Sequence, residues 1–131
     1  NAVLVSHSQS GRFPLESALL NPKGIKAMVL LEPGGSGSNY TDEQIRTLAT
    51  IPLLVVFGDY LENETGIQGH SWKNYHAGWG DFVKHLNAAG GKAKLIYLPD
   101  LGIRGNSHML MQDTNNQQIA NIILNWIKDN K

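Results

Sequence analysis

The sequence predicts an α/β fold in which helices cover both faces of a mostly parallel β-sheet. Four short apolar runs have the composition of strands that are buried in a parallel sheet. These runs alternate with longer segments of helical pattern, so crossover helices should join consecutive strands. The strands are expected, in chain order, at 1–6, 27–31, 53–57 and 93–98.

A helical segment follows each predicted strand. Asn21-Pro22 ends the first, because the residue before a proline disfavours the helical conformation. Thr41 or Asn39 can cap the second through a side-chain oxygen, and Gly90-Gly91 closes the third. The fourth is amphipathic, with isoleucine and tryptophan on one face. In chain order, the first helix is expected at about 11–20 and the second from residue 41 onwards. The third is expected to end at about residue 89, and the fourth to cover 117–128.

Composition narrows the class of protein. The chain has 131 residues, of which 41% are hydrophobic and 17% charged, values typical of one small globular domain. The formal net charge of +0 provides no electrostatic attraction to nucleic acid or to an anionic membrane. No apolar run approaches the ~20 residues that span a bilayer. The chain has no cysteine, which excludes a thiol nucleophile and disulfide bonds.

Ser8 lies in a turn that suits a catalytic nucleophile. The segment 6–11 (Ser-His-Ser-Gln-Ser-Gly) joins the first strand to the first helix. In the G-x-S-x-G nucleophile elbow, such a turn exposes a serine above the sheet, and small residues flank it because the backbone folds back tightly. Here Ser6 and Ser10 replace the two glycines. We predict Ser8 as the nucleophile and the Gln9 N–H as an oxyanion-hole donor, against the alternative of an ordinary serine-rich turn.

His108 is the candidate for the base that activates this serine. In enzymes with the elbow, the chain order is serine, acid, histidine, and the histidine follows the last strand. Residues 101–108 form such a loop. His7 is adjacent to the nucleophile and is expected to pack or hydrogen-bond rather than act as the base. The other histidines are expected at the surface or in packing, without zinc-ligand spacing: His70, His76 and His85.

Two carboxylates could complete the site. Asp59 follows the third strand, the usual position of the acid, and could instead stabilise its own turn. Glu32 follows the second strand, and its longer side chain could reach an imidazole from there. Both lie at the carboxyl ends of parallel strands, where α/β sheets bind ligands. The residues alone leave this choice open.

Several segments together resemble a bacterial-type esterase family of the α/β-hydrolases. They cover nearly the whole chain and lie at 6–11, 31–34, 55–59, 86–92 and 105–109. In that family the triad acid is a glutamate at the end of the strand that follows the nucleophile elbow. The resemblance therefore implies Glu32 as the acid.

The first strand suggests that the sheet is incomplete. Four strands are few for such a fold, and the apolar run 2–5 is read as a strand buried on both faces, yet it would be an exposed edge. We expect residues 1–131 to be the C-terminal half of an α/β-hydrolase domain, completed by an upstream N-terminal segment or a separate chain. The sequence leaves open whether the protein forms a homo-oligomer. Sequons at Asn39 and Asn63 favour a secreted or periplasmic location, with the cytoplasm not excluded.

The predicted chemistry is hydrolysis of a small-molecule carboxylic ester without metal or cofactor. Ser8 attacks the carbonyl, His108 takes the proton, and Glu32 holds the imidazole. The same residues acting on a peptide, thioester or carbon–carbon bond, or an inactive hydrolase-like binding protein, are the alternatives. The aromatic stretch 61–80 is a candidate lid or acyl pocket. Packing in the core is nevertheless the preferred explanation for its aromatic side chains and for Phe82, which follows it. The aromatic residues of the stretch are Trp72, Tyr75 and Trp79.

Overall fold

The computed structural model describes residues 1–130 and has the predicted alternation of strands and helices. The strands are β1 (Ala2–His7), β2 (Ile25–Leu31), β3 (Leu53–Phe57) and β4 (Ala93–Tyr97). The helices are α1 (Phe13–Leu20), α2 (Asp42–Leu48), α3 (Trp72–Ala88) and α4 (Asn116–Asn130). Short 3-10 helices cover Ser8–Arg12, Leu98–Leu101 and Leu110–Gln112.

The sheet is parallel and its strand order, β1-β2-β3-β4, follows the chain. Successive side chains of a strand point to opposite faces, so β2, β3 and β4 each contribute to two cores. On one face, Met28 and Val55 pack with the apolar sides of α1, α2 and α3. On the other face, Val29 and Leu54 pack with residues of α4. The predicted α/β fold with helices on both faces is confirmed.

Helix α3 starts inside the predicted aromatic stretch 61–80. Residues 58–71 contain no regular helix or strand, and α3 begins at Trp72 with Ser71 as its cap, because the Ser71 side chain accepts from the Asn74 N–H. Trp79 and Phe82 are buried in the core, which confirms packing for these two rings. Within residues 1–130, no helix has both the length and the apolarity needed to cross a membrane.

Thr41 caps α2, which resolves the choice between Thr41 and Asn39. The Thr41 hydroxyl accepts from the Gln44 N–H at 3.2 Å, and the Gln44 side chain accepts from the Thr41 N–H at 2.9 Å. This reciprocal pair is a capping box, which satisfies two N–H groups that the helix itself leaves unpaired.

Two expectations differ from the structure. The first helix was expected from about Gly11, but the chain forms a 3-10 turn over Ser8–Arg12 before α1 begins at Phe13. Strand β1 was expected to be buried on both faces. It lies at the edge of the sheet, as the strand count predicted, but its faces are not fully buried and Val5 is 59% exposed, because an apolar pattern indicates that a strand favours burial and does not show which element covers it.

Candidate active site

Three strands end at the same edge of the sheet, and each is followed by a residue of interest. Ser8 follows β1, Glu32 follows β2, and Asp59 lies just beyond β3. Ser8 and Glu32 have φ values of 59° and 43°, and Tyr60 has 62°. Positive φ is costly for residues other than glycine, and such strain tends to gather at functional sites. Backbone strain therefore marks this edge as the candidate site.

Ser8 and His108 are brought together here from opposite ends of the chain. His108 Nε2 lies 2.8 Å from Ser8 Oγ. When Nε2 carries no proton, the Ser8 hydroxyl donates to it, which is the arrangement that a general base requires. The two residues predicted as nucleophile and base are thus in hydrogen-bonding contact.

The turn that carries Ser8 is braced by the two flanking serines. Ser10 Oγ accepts from the His7 N–H at 3.1 Å and donates to the His7 carbonyl at 2.8 Å. Ser6 Oγ donates more weakly to the Gly11 carbonyl at 3.4 Å. A Cβ at Gly11 would lie 2.6 Å from the Cβ of Pro33, closer than real contacts allow. Glycine at position 11 therefore lets the elbow approach the segment that follows Glu32.

Gln9 lies in the first turn of the 3-10 helix that begins at Ser8. The first N–H groups of a helix have no partner within that helix. The Gln9 N–H is therefore available by position to an oxygen placed above Ser8, as an oxyanion-hole donor must be.

Glu32 is buried and lines the same cavity as His108. Its side chain is 2% exposed, and it lines a cavity of about 340 Å³ together with His108. Among residues 1–130, neither Glu32 Oε2 nor His108 Nδ1 has a hydrogen-bond partner, and both atoms are buried. A catalytic triad joins a carboxylate oxygen to this imidazole nitrogen, so the two unpaired atoms are the ones that such a triad would connect.

Burial raises the pKa of Glu32 to about 8. Loss of solvation is the largest cause, because it disfavours the charged carboxylate. A hydrogen bond from the Gly58 backbone opposes the shift, whereas the negative charge of Asp113 adds to it. Glu32 is therefore a carboxyl group whose charge depends on a nearby donor or cation, and the His108 imidazolium would provide one.

The Asp59 carboxylate is hydrogen-bonded to the backbone around it. Its two carboxylate oxygens accept from the Tyr60 N–H at 2.8 Å and the Gly105 N–H at 2.9 Å, and these bonds lower its pKa. The Asp59 N–H also donates to the Asn106 carbonyl at 2.9 Å. Asp59 thus ties the loop after β3 to the loop that carries His108, which favours its structural interpretation.

Asp113 was not singled out from the sequence. Its carboxylate accepts from Asn106 Nδ2 at 2.9 Å, and from the N–H and the hydroxyl of Ser107 at 2.9 and 2.7 Å. Asn106 is 1% exposed and also bonds to the Asn115 side chain. This network fixes the two residues that precede His108. Its sequence signal, short polar residues after the histidine, is shared with ordinary turns.

Two rings contact the imidazole of His108. The Trp72 ring lies 4.3 Å and the His7 ring 4.6 Å away, measured between ring centroids. Burial, and then the nearby His7, lower the pKa of His108 below its ordinary value of 6.5. Trp72 also lines the cavity that contains Glu32. Among the described residues, Trp72 is therefore the one aromatic side chain of the stretch 61–80 that lines this cavity.

The remaining histidines lie away from Ser8. His76 packs against the rings of Phe57 and Tyr97, and His85 is exposed in the last turn of α3. His70 is exposed and lines a separate cavity formed by the loop before α3. Within residues 1–130, no three histidine, cysteine, aspartate or glutamate side chains gather as metal ligands.

Comparison with known proteins shows which class of enzyme this chain resembles. No family model matches the chain. A bacterial esterase of known structure is 48% identical, with a TM-score of 0.87 over 99% of this chain and 38% of that protein. The predicted resemblance to a bacterial esterase is confirmed. The probable secreted lipase phiG of Fungal sp. (strain ATCC 74256) is 23% identical in an alignment that covers 97% of this chain and 46% of the lipase. The chain thus spans less than half the length of both relatives.

Proposed function

We propose that this chain contains the catalytic residues of a carboxylic-ester hydrolase of the serine type. The observation that carries the proposal is the 2.8 Å contact between Ser8 Oγ and His108 Nε2, with the buried Glu32 lining the same cavity as His108. The similarity to a bacterial esterase and to a lipase supports esters as the substrate class.

The reaction is acyl transfer in two halves. Ser8 Oγ attacks the ester carbonyl as its proton passes to His108 Nε2, and the tetrahedral intermediate collapses when His108 protonates the departing alcohol. Water, deprotonated by His108, then attacks the acyl-serine and releases the acid. The Gln9 N–H stabilises the oxyanion in both halves, and such a donor is worth about 3–4 kcal/mol in the transition state.

Glu32 has its largest effect when His108 is charged. An isolated carboxylate is unfavourable at this buried position, so the pKa of Glu32 is raised to about 8. The imidazolium that forms during each half-reaction supplies the opposite charge that favours ionised Glu32. Glu32 therefore stabilises the transition state more than the resting enzyme, which is what accelerates a reaction.

An upstream segment of the same protein is proposed to cover β1 and to contribute to the substrate pocket. The edge strand and α1 border an open cavity of about 410 Å³ lined by Val3, Val5 and Phe13. Val5 and Phe13 are 59% and 68% exposed, which is unusual for an apolar patch unless another element covers it. The name of the lipase and the two sequons support a secreted location for the protein.

A panel of substrates tests the proposed activity. The native protein is expected to hydrolyse p-nitrophenyl esters of short acyl chains, and Ser8→Ala should remove this activity while leaving the fold intact. Aminoacyl anilides and thioesters in the same assay report on the other bonds that a serine triad can cleave. Anilide hydrolysis without ester hydrolysis, or full ester hydrolysis by Ser8→Ala, would contradict the proposal.

A further inference from the structure

We propose that His7 is a positioning residue for the base: it holds the main chain of His108 by a hydrogen bond and supports its imidazole by ring contact. This inference rests on the proposed function, because it assigns a role to a neighbour of the proposed base. It concerns a residue that does not line the cavity that contains Glu32 and whose ring nitrogen bonds to a main-chain carbonyl rather than to Ser8.

The hydrogen bond defines the chemistry of the His7 side chain. His7 Nε2 lies 2.8 Å from the carbonyl oxygen of His108. A carbonyl oxygen can only accept, so Nε2 of His7 carries a proton and donates it. The bond joins the last residue of β1 to the residue that carries the proposed base, 101 positions later in the chain.

The second contact is between the two imidazole rings. Their centroids are 4.6 Å apart and their planes are tilted by 36°. One residue thus restrains both the main chain and the side chain of His108. An imidazole that is restrained in this way spends less time in rotamers that point away from Ser8, and positioning of this kind contributes to the rate of reaction.

His7 is itself held rigidly, so it can transmit this restraint. Its N–H and carbonyl both bond to Ser10 Oγ, and it pairs in register with Leu31 of β2. Asp113 fixes Asn106 and Ser107 from the other side of the loop. The loop at His108 is therefore held by His7 as well as by Asp113 and Asp59, and of these three residues His7 is the one whose ring contacts the imidazole.

Three substitutions separate the donor from the ring. His7→Gln keeps an N–H donor at a similar reach and removes the ring. His7→Asn is shorter by one methylene and cannot reach the same carbonyl without movement, and His7→Phe keeps a ring without a donor. His85→Phe, at an exposed position of α3, is the matched control. Each variant of the native protein is assayed for kcat and KM on a p-nitrophenyl ester, for fluorophosphonate inactivation, and for urea unfolding.

The proposal expects His7→Phe and His7→Asn to lower kcat and the inactivation rate by roughly tenfold, the factor that one ordinary hydrogen bond is worth. KM should stay within about twofold, because His7 does not line the cavity. His7→Gln should recover most of the rate, and His85→Phe should behave like wild type. If His7→Phe fails to fold, the comparison of Gln with Asn decides.

Other outcomes would overturn the proposal. Equal rates for Gln, Asn and wild type would show that the hydrogen bond has no role in catalysis. A rise in KM with unchanged kcat would place His7 in substrate binding instead. Failure of the wild-type protein to react with fluorophosphonate at Ser8 would contradict the proposed function itself. Normal labelling of the wild type and of all His7 variants would contradict only the role proposed for His7.

Discussion

At the scale of single residues, the surroundings of two carboxyl groups support the different roles proposed for them. Glu32 is buried, with one oxygen unpaired among residues 1–130, and its pKa is raised. Asp59 has both oxygens bonded to backbone N–H groups, and its pKa is lowered. A carboxylate that stabilises a charge forming on His108 must have an oxygen free to pair with the imidazole, and Glu32 Oε2 has no other partner among the described residues.

Glu32→Gln is expected to lower kcat by about 10³-fold or more, because the amide cannot stabilise the imidazolium or hold its tautomer. Asp59→Asn keeps one acceptor oxygen and should stay within about tenfold of wild type. Both variants are compared in kcat on one ester, with urea unfolding as the control for folding. The reverse order of effects would assign the role of acid to Asp59.

The acid limb of the kcat/KM profile should lie below pH 6.5. Burial and His7 lower the pKa of His108 from 6.5, so the imidazole stays neutral, and able to accept a proton, at lower pH than a free histidine. Glu32→Gln should not move this limb upward, because removing a carboxyl group can only remove negative charge that favours the imidazolium. Because ionisation of Glu32, whose pKa is raised to about 8, could add its own inflection to the wild-type profile, the decisive profile is that of Glu32→Gln: an acid limb above pH 6.5 in this variant would contradict the reasoning.

At the scale of elements, polar contacts hold the two loops that carry Ser8 and His108. The elbow is braced by Ser6 and Ser10, and the loop before His108 is braced by Asp113 and Asp59. Such networks are worth most when every member is satisfied. Substitutions within them should therefore reduce activity without touching a reacting atom.

Asp113→Asn should lower kcat by roughly ten- to a hundredfold and destabilise the fold by about 1–3 kcal/mol, because an amide cannot accept from Asn106 and both Ser107 groups at once. Asp129→Asn, at an exposed position of α4, is the matched control. Steady-state kinetics and urea unfolding measure both effects. An unchanged kcat in Asp113→Asn would show that the loop before His108 does not need the hydrogen bonds of Asp113.

Thr41→Ala tests the capping of α2 separately from catalysis. Loss of the bond from the Gln44 N–H should cost about 1 kcal/mol in the free energy of unfolding. Thr47→Ala lies in the same helix and removes a bond to the Glu43 carbonyl, which should be nearly neutral because alanine favours the helix interior. Urea midpoints compare the two, and kcat should change in neither.

At the scale of the whole molecule, the sequence predicted the features that follow from a regular pattern or a fixed order of residues along the chain. The pattern of apolar residues predicted four strands and the apolar face of the last helix, and the order serine-then-histidine predicted the contact of Ser8 with His108. The roles of Glu32 and Asp59 could not be separated from the residues alone, because any carboxylate after a strand has the same local pattern. The bracing by Asp113 depends on contacts that follow no period, so it was missed.

The edge position of β1 leads to a prediction about the complete protein. If an upstream segment pairs with β1, the amides of Val3 to Val5 that do not bond to β2 should exchange hydrogen slowly in the native protein and rapidly in the isolated chain 1–131. Hydrogen exchange read by mass spectrometry compares the two forms. Rapid exchange in both would mean that β1 remains an open edge.

The central claim is that Ser8 is a nucleophile activated by His108, and covalent labelling tests it most directly. The native protein is incubated with a fluorophosphonate, and the site of modification is located by peptide mass mapping. The account predicts one adduct, on Ser8, formed at a rate that falls by at least about 10³-fold in His108→Gln. Absence of the adduct from folded wild-type protein, or equal labelling of His108→Gln, would contradict it.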